Sequence, residues 1–223
     1  MNMCSKMRLG LGVLLAVSAL SVPACSGGAK YKVEDVVLSD VPVSLKQRML
    51  AAEGEMNRAA ELKNKAEADV AIAERDVAVA ETERSQAKME EDKIEANLRL
   101  AERGKDLNRI QAVKAQFSAT NNARSSSEAK VQWLKSRRDH SRTVVQAAEL
   151  RKTAAQRDYE LEKARLVQDT GKRPSSGFSV AQFEQQATQA HREYDEAKAA
   201  ADKQGTEASQ LEQKYAQISG RTP

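Results

Sequence analysis

From Leu45 the apolar positions recur in alternating steps of four and three. They fall at Leu45, Met49, Ala52, Met56, Ala59, Ala66, Val70, Ala73, Val77, Ala80, Ala87, Ile94, Leu98 and Ala101, and Lys63, Arg84 and Glu91 interrupt the series. Spacing of this kind, sustained over many turns, predicts a long helix packed on other helices as a coiled coil. Leu107, Ile110, Val113 and Phe117 continue the pattern on a shifted face, so the first helix is expected over 44–117, with Gly104 as a possible kink. At 1.5 Å per residue that helix would be about 110 Å long. The polar run Ser118 to Ser127 (SATNNARSSS) reads as a loop.

A second helix is expected over 128–169, with a more polar stripe: Leu134, Arg138, Ser141, Val145, Ala148, Lys152, Ala155, Tyr159, Glu162 and Leu166. Thr170 to Gly177 (TGKRPSSG) holds two glycines and a proline and marks a turn. A third helix is expected over 179–219. Ser179 and Gln182 fit a capping box, and Phe178 and Phe183 fit a hydrophobic staple. Its stripe runs Phe183, Ala187, Ala190, Tyr194, Ala197, Ala201, Gln204, Ala208, Leu211, Tyr215 and Ile218. The fold class that follows is all-α: about three long antiparallel coiled-coil helices, elongated rather than globular. The second and third helices, similar in length, would fold back against a longer first one. That would leave part of the Ala66, Ala73, Ala80 and Ala87 seam in need of a second copy or a protein partner.

Ahead of the helices, Tyr31 to Val43 (YKVEDVVLSDVPV) is the one stretch rich in β-branched residues. With no second strand to pair with, it reads as an extended linker. Pro42 disfavours helix just before it, and Ser44 is a candidate N-cap.

Composition narrows the reading. Aromatics are 4% and charged residues 30%, and alanine makes up much of the 40% hydrophobic share. Such a chain lacks the bulk for an ordinary globular core and suits long helices. The formal net charge is +4, mostly in mixed-sign pairs, which is a solvated helical surface rather than a nucleic-acid footprint.

The N-terminal region differs from all of this. Lys6 and Arg8 precede an apolar run from Leu9 to Leu20, which leads to Val22-Pro23-Ala24-Cys25. A basic start, a short apolar core and a small residue at the cleavage point form an export signal. The apolar run is shorter than the roughly 20 residues an ordinary membrane-spanning helix needs. With a cysteine at the cleavage point, the segment resembles the lipobox of bacterial lipoproteins. Val22 stands where leucine is usual, and Pro23 at a usually small or polar position.

The resemblance implies a signal over 1–24 and acylation of Cys25 as the first residue of the exported chain. It also implies a lipidated tether and linker over 25–43, membrane attachment through Cys25, and palmitate among the acyl groups. Ser26, rather than an aspartate, follows the cysteine. By resemblance to lipoprotein sorting in Gram-negative bacteria, that points to the periplasmic side of the outer membrane. Translation from Met1, Met3 or Met7 would each leave such a signal. Cys4 lies inside it, so the exported chain is expected to keep one cysteine and no internal disulfide.

No candidate catalytic residue emerges, and no cofactor, metal or small-molecule substrate is called for. His140 and His191 lie in different helices, away from any ligand spacing. Carboxylate pairs such as Glu53/Glu55 and Glu90/Glu91 are what any charged helix carries. One cluster stands out: Trp133, Lys135, Arg137, Arg138 and Arg142, the densest basic stretch with the single tryptophan. It could contact an anionic lipid or envelope polymer. The plainer alternative is that Trp133 packs on the next helix. Function is expected to be that of a scaffold lipoprotein of the cell envelope. The alternatives are a coiled-coil subunit of a transport, secretion or motility complex, and a periplasmic holdase chaperone.

Overall fold

The computed structural model describes residues 32–172 and 178–220. Residues from Lys32 onward form one compact unit in their own right. The unit is all-α. A strap of two short 3-10 turns, Asp35–Leu38 and Val43–Lys46, leads into α1 (Gln47–Gly104). Two residues join α1 to α2 (Leu107–Asp169), and α3 (Val180–Ser219) follows. No described helix is long and apolar enough to cross a membrane.

The helices pack in chain order, α1 on α2 and α2 on α3. Cross-helix pairs fix α1 antiparallel to α2: Lys63–Glu149, Glu74–Arg142, Asp76–Arg137, Glu81–Lys135, Glu83–Lys130 and Glu91–Arg124. Position rises along one helix as it falls along the other. In the same way Asp158–His191, Thr143–Gln204 and Trp133–Tyr215 fix α3 antiparallel to α2. The 58 residues of α1 make a rod about 90 Å long. Because α3 has 40 residues and ends opposite Lys130, the last stretch of the rod is two helices thick. From near Arg84 to the turn it runs for about 30 Å.

The heptad series of the sequence is the buried face of α1. Ala59, Ala66, Ala73, Ala80, Ile94 and Ala101, spaced by sevens, are all buried, with Val77 between them. Small residues there let α2 come close, and Val77, Ala80, Val131 and Leu134 form a shared core with Trp133 against it. The charged interruptions have separate fates. Lys63 reaches Glu149, Glu91 reaches Arg124, and Arg84 faces solvent. The stripe of α3 also holds: Phe183, Ala187, Ala190, Ala201, Ala208 and Tyr215 are buried, while Ile218 is exposed. In α3, Gly205 permits close packing on α2, since a Cβ there would stand 3.0 Å from Nε2 of His140.

Two expectations are corrected. The first helix does not run over 44–117, nor the second from 128. The turn lies at Lys105–Asp106, and residues 118–127 are helical. Lys105 takes the left-handed conformation, φ 55°, and its N–H bonds the carbonyl of Glu102. Asp106 caps α2 by accepting the N–H of Arg109 at 3.1 Å. Two hydroxyls of the polar run bond back into the helix instead of breaking it. Thr120 donates to the carbonyl of Gln116 and Ser127 to that of Arg124. The hairpin is therefore α1 with α2, matched along its length. Within the chain, Ala66, Ala73 and Ala80 of the expected seam are buried and Ala87 is half-buried in the α1–α2 packing.

The linker is also not extended over 32–43, because Val33, Leu38 and Val41 are buried on the helices as part of the strap. At the third helix Ser179 is the N-cap, but its side chain makes no capping bond. The staple forms as expected, with the Phe178 and Phe183 rings 5.8 Å apart. The lipobox segment, Cys25 and the turn residues 173–177 lie outside the described residues.

Candidate functional site

The two ends of the rod differ in chemistry, and the basic cluster lies between them. Every basic residue of that cluster faces a carboxylate. Lys135 Nζ lies 2.7 Å from Glu81, Arg137 3.2 Å from Asp76, and Arg142 2.8 Å from Glu74. Arg138 pairs with its neighbour Asp139 at 2.7 Å. The hydrogen bond from Lys135 holds the Glu81 carboxyl below its ordinary pKa. Trp133 stacks on Tyr215 of α3, centroids 5.5 Å apart and planes 12° from parallel. The cluster is thus a ladder joining α2 to α1 on one side, with an aromatic contact to α3 on the other. The carboxylates of α1 offset its charge.

At the base, the strap is tied to α2 by a group that sequence reasoning did not single out. The Val33 N–H donates to Oε2 of Glu160 at 3.1 Å. Glu160 Oε1 lies 3.6 Å from the Nζ of Lys163, which is 1% exposed and stands 5.3 Å over the Tyr159 ring. Lys172 donates to the Val37 carbonyl at 3.1 Å and lies 3.8 Å from Asp40. Burying a charge pair is costly unless further bonds satisfy it, and breaking one partner leaves an uncompensated charge. The pair therefore fixes the strap in one place. The signal in the sequence is a Glu and a Lys three apart, Glu160 and Lys163, among Leu161, Ala164, Leu166 and Val167.

Six residues lie between Cys25 and Lys32, seven Cα steps in all. That length reaches at most about 25 Å when extended. The base is thus the end nearest Cys25 along the chain, and the α1–α2 turn is the far end. His191 pairs with Asp158 at 2.9 Å, and His140 packs beneath Gly205. Both histidines therefore act in α2–α3 contacts. Among the described residues no group of three or more His, Cys, Asp and Glu converges as a metal site.

In comparison with known proteins, the chain matches no family model, and no curated protein or solved structure shows significant similarity to it.

Proposed function

We propose that the chain is a lipid-anchored cell-envelope protein that works as a helical spacer. Acylated Cys25 would hold its base on the periplasmic side of the outer membrane, and the rod would carry the turn about 90 Å away. The observation that supports this most is the clamp of Glu160 and Lys163 on the strap. A tether that left the helices loosely would let the rod swing. A buried tie instead fixes the start of the strap on the helices, within at most about 25 Å of chain from the anchor. The role proposed is mechanical.

A coiled-coil subunit of an envelope transport, secretion or motility complex is the second reading. It is favoured by the part of the rod that α3 leaves uncovered, where two helices present both outer faces. A holdase role has no specific feature in its favour.

The anchor is tested with Cys25→Ser. Wild type is expected in the membrane fraction, with an intact mass that includes acyl chains, and the variant in the soluble periplasmic fraction. Several acyl chains hold far more firmly than one. A wild type without lipid mass, or a variant that fractionates unchanged, would remove the lipoprotein reading.

A further inference from the structure

We propose that the turn end of the rod is a docking surface for an anionic phospholipid bilayer. Four exposed cations, Arg103, Lys105, Arg109 and Lys114, outnumber the two exposed carboxylates at the turn, Glu102 and Asp106. Among the described residues none of the four cations makes an ion pair, in contrast to the basic residues of the ladder. Arg99, one turn before, is paired with Glu95. Between the four cations stand two leucines, Leu100 at 57% and Leu107 at 75% exposure, the latter the most exposed large apolar side chain described.

The packing explains why these leucines are free. Ala101 and Val113 fill the narrow seam between the two helices. Leu100 and Leu107 stand outside that seam, and α3 ends far short of the turn. The left-handed Lys105 and the Asp106 cap make the connection short and well defined.

The chemistry selects the occupant. Exposed apolar groups stand here among exposed cations. A flat, deformable surface with negative headgroups can accept both at once, the leucines entering the acyl boundary and the cations meeting phosphates. The inference goes beyond the anchoring proposal and does not rest on it, because the test uses unacylated protein.

The probe is the chain from Ser26 onward, whose helical unit from Lys32 is compact in its own right. It is floated with vesicles of phosphatidylcholine alone and with phosphatidylcholine containing a third phosphatidylglycerol. Binding is expected to the anionic vesicles, and to fall steeply when salt shortens the Debye length from about 10 Å to about 3 Å. Arg103→Gln with Lys105→Gln should weaken it roughly 25-fold, about fivefold per cation. Leu100→Ser with Leu107→Ser should weaken it by roughly tenfold or more. Arg137→Gln, in the ladder, should leave it unchanged. Circular dichroism checks that each variant keeps its helices. Absent binding, equal binding to both vesicle types, or turn variants that bind like the parent would overturn the proposal. Binding to an acidic protein but not to the vesicles would overturn it as well.

Discussion

The middle of the rod and its turn end use the same residue types in opposite ways. Between residues 130 and 142, α2 carries its cations on the side facing α1, and α1 answers with Glu74, Asp76, Glu81 and Glu83. Between residues 99 and 114 there are again cations on both helices, yet among the described residues those beyond Arg99 make no ion pair, although Glu102 and Asp106 lie in the same stretch. The apolar residues divide similarly. Val77 and Leu134 are buried in the seam between α1 and α2, whereas Leu100 and Leu107 at the turn stand exposed outside that seam, as Ile72 and Val79 do in the middle. The face a side chain occupies, seam or outer surface, decides what it does. Density of basic residues in a sequence is therefore a poor guide to free charge, because a facing helix can offset it.

The strongest way to break this comparison is to put the same kind of change at both levels. Val77→Lys places an ammonium in the core shared with Ala80, Val131 and Leu134. An unpaired buried charge costs several kcal/mol, so this variant should lose at least about 3 kcal/mol and melt far below the wild type. Leu100→Gln, on an exposed face, should stay within about 0.5 kcal/mol. Thermal melts followed by circular dichroism measure both. Similar losses at the two positions would mean that the turn end is packed against something, and that its leucines are not available for docking.

Much of this arrangement could be read from the chain, and the failures have physical causes. The seven-residue series Ala59, Ala66, Ala73 and Ala80 is legible because α1 has one buried side. The same holds for α3, where the staple of Phe178 and Phe183 also marks the start. α2 is harder. It is covered by α1, by α3 and near its end by the strap, so burial spreads over Ala154, Glu160, Leu161, Lys163, Ala164, Leu166 and Val167. A single-stripe reading misses such a helix. The run from Ser118 to Ser127 misleads for another reason. Its serines and asparagines favour turns in isolation, but here Arg124 is drawn to Glu91 and the helix around it survives. The true turn was signalled by Gly104 and by Asp106 ahead of Leu107, a cap that outweighed the apolar continuity through Phe117. Of the candidate site, the basic residues were legible and their carboxylate partners were not, since pairing depends on the register that the turn sets.

A second test, of intermediate size, sharpens the account of the two-helix stretch. Glu91 is buried at 7% exposure in a seam that otherwise holds Ile94 and Ala101, and Arg124 lies 2.6 Å from it. Arg124→Ala should cost about 1–3 kcal/mol, because it strands a desolvated carboxylate. Glu91→Leu removes the charge itself and should be nearly neutral or stabilising. The asymmetry is the point: if the two variants lose the same stability, the pair acts as an ordinary surface bridge and does not set the register of the hairpin end.

The smallest expected effect concerns acid, and it separates the ladder from the rest of the rod. The carboxyl of Glu81 is held low by its hydrogen bond from Lys135, and that of Glu149 by the one from Lys63. A folded pKa below the unfolded one means that the folded state binds its proton less readily. The stabilisation is then complete above the ordinary carboxylate range, near about 4.3, and is lost as pH falls through the folded value. The cations give the opposite branch. Lys63, raised by Glu149 and Glu67, and Lys198, raised by Asp202, contribute below the ordinary lysine range and lose that contribution as pH rises through their folded values. The melting temperature should therefore be level through neutral pH and decline below about pH 4. Both partners of each pair are substantially exposed, so salt should reduce the effect. Glu81→Gln with Glu149→Gln should flatten the acid decline without moving the neutral plateau by more than a few degrees. An acid decline as steep in the double variant as in the wild type would place the pH sensitivity elsewhere in the rod, and the ladder would then contribute alignment rather than stability.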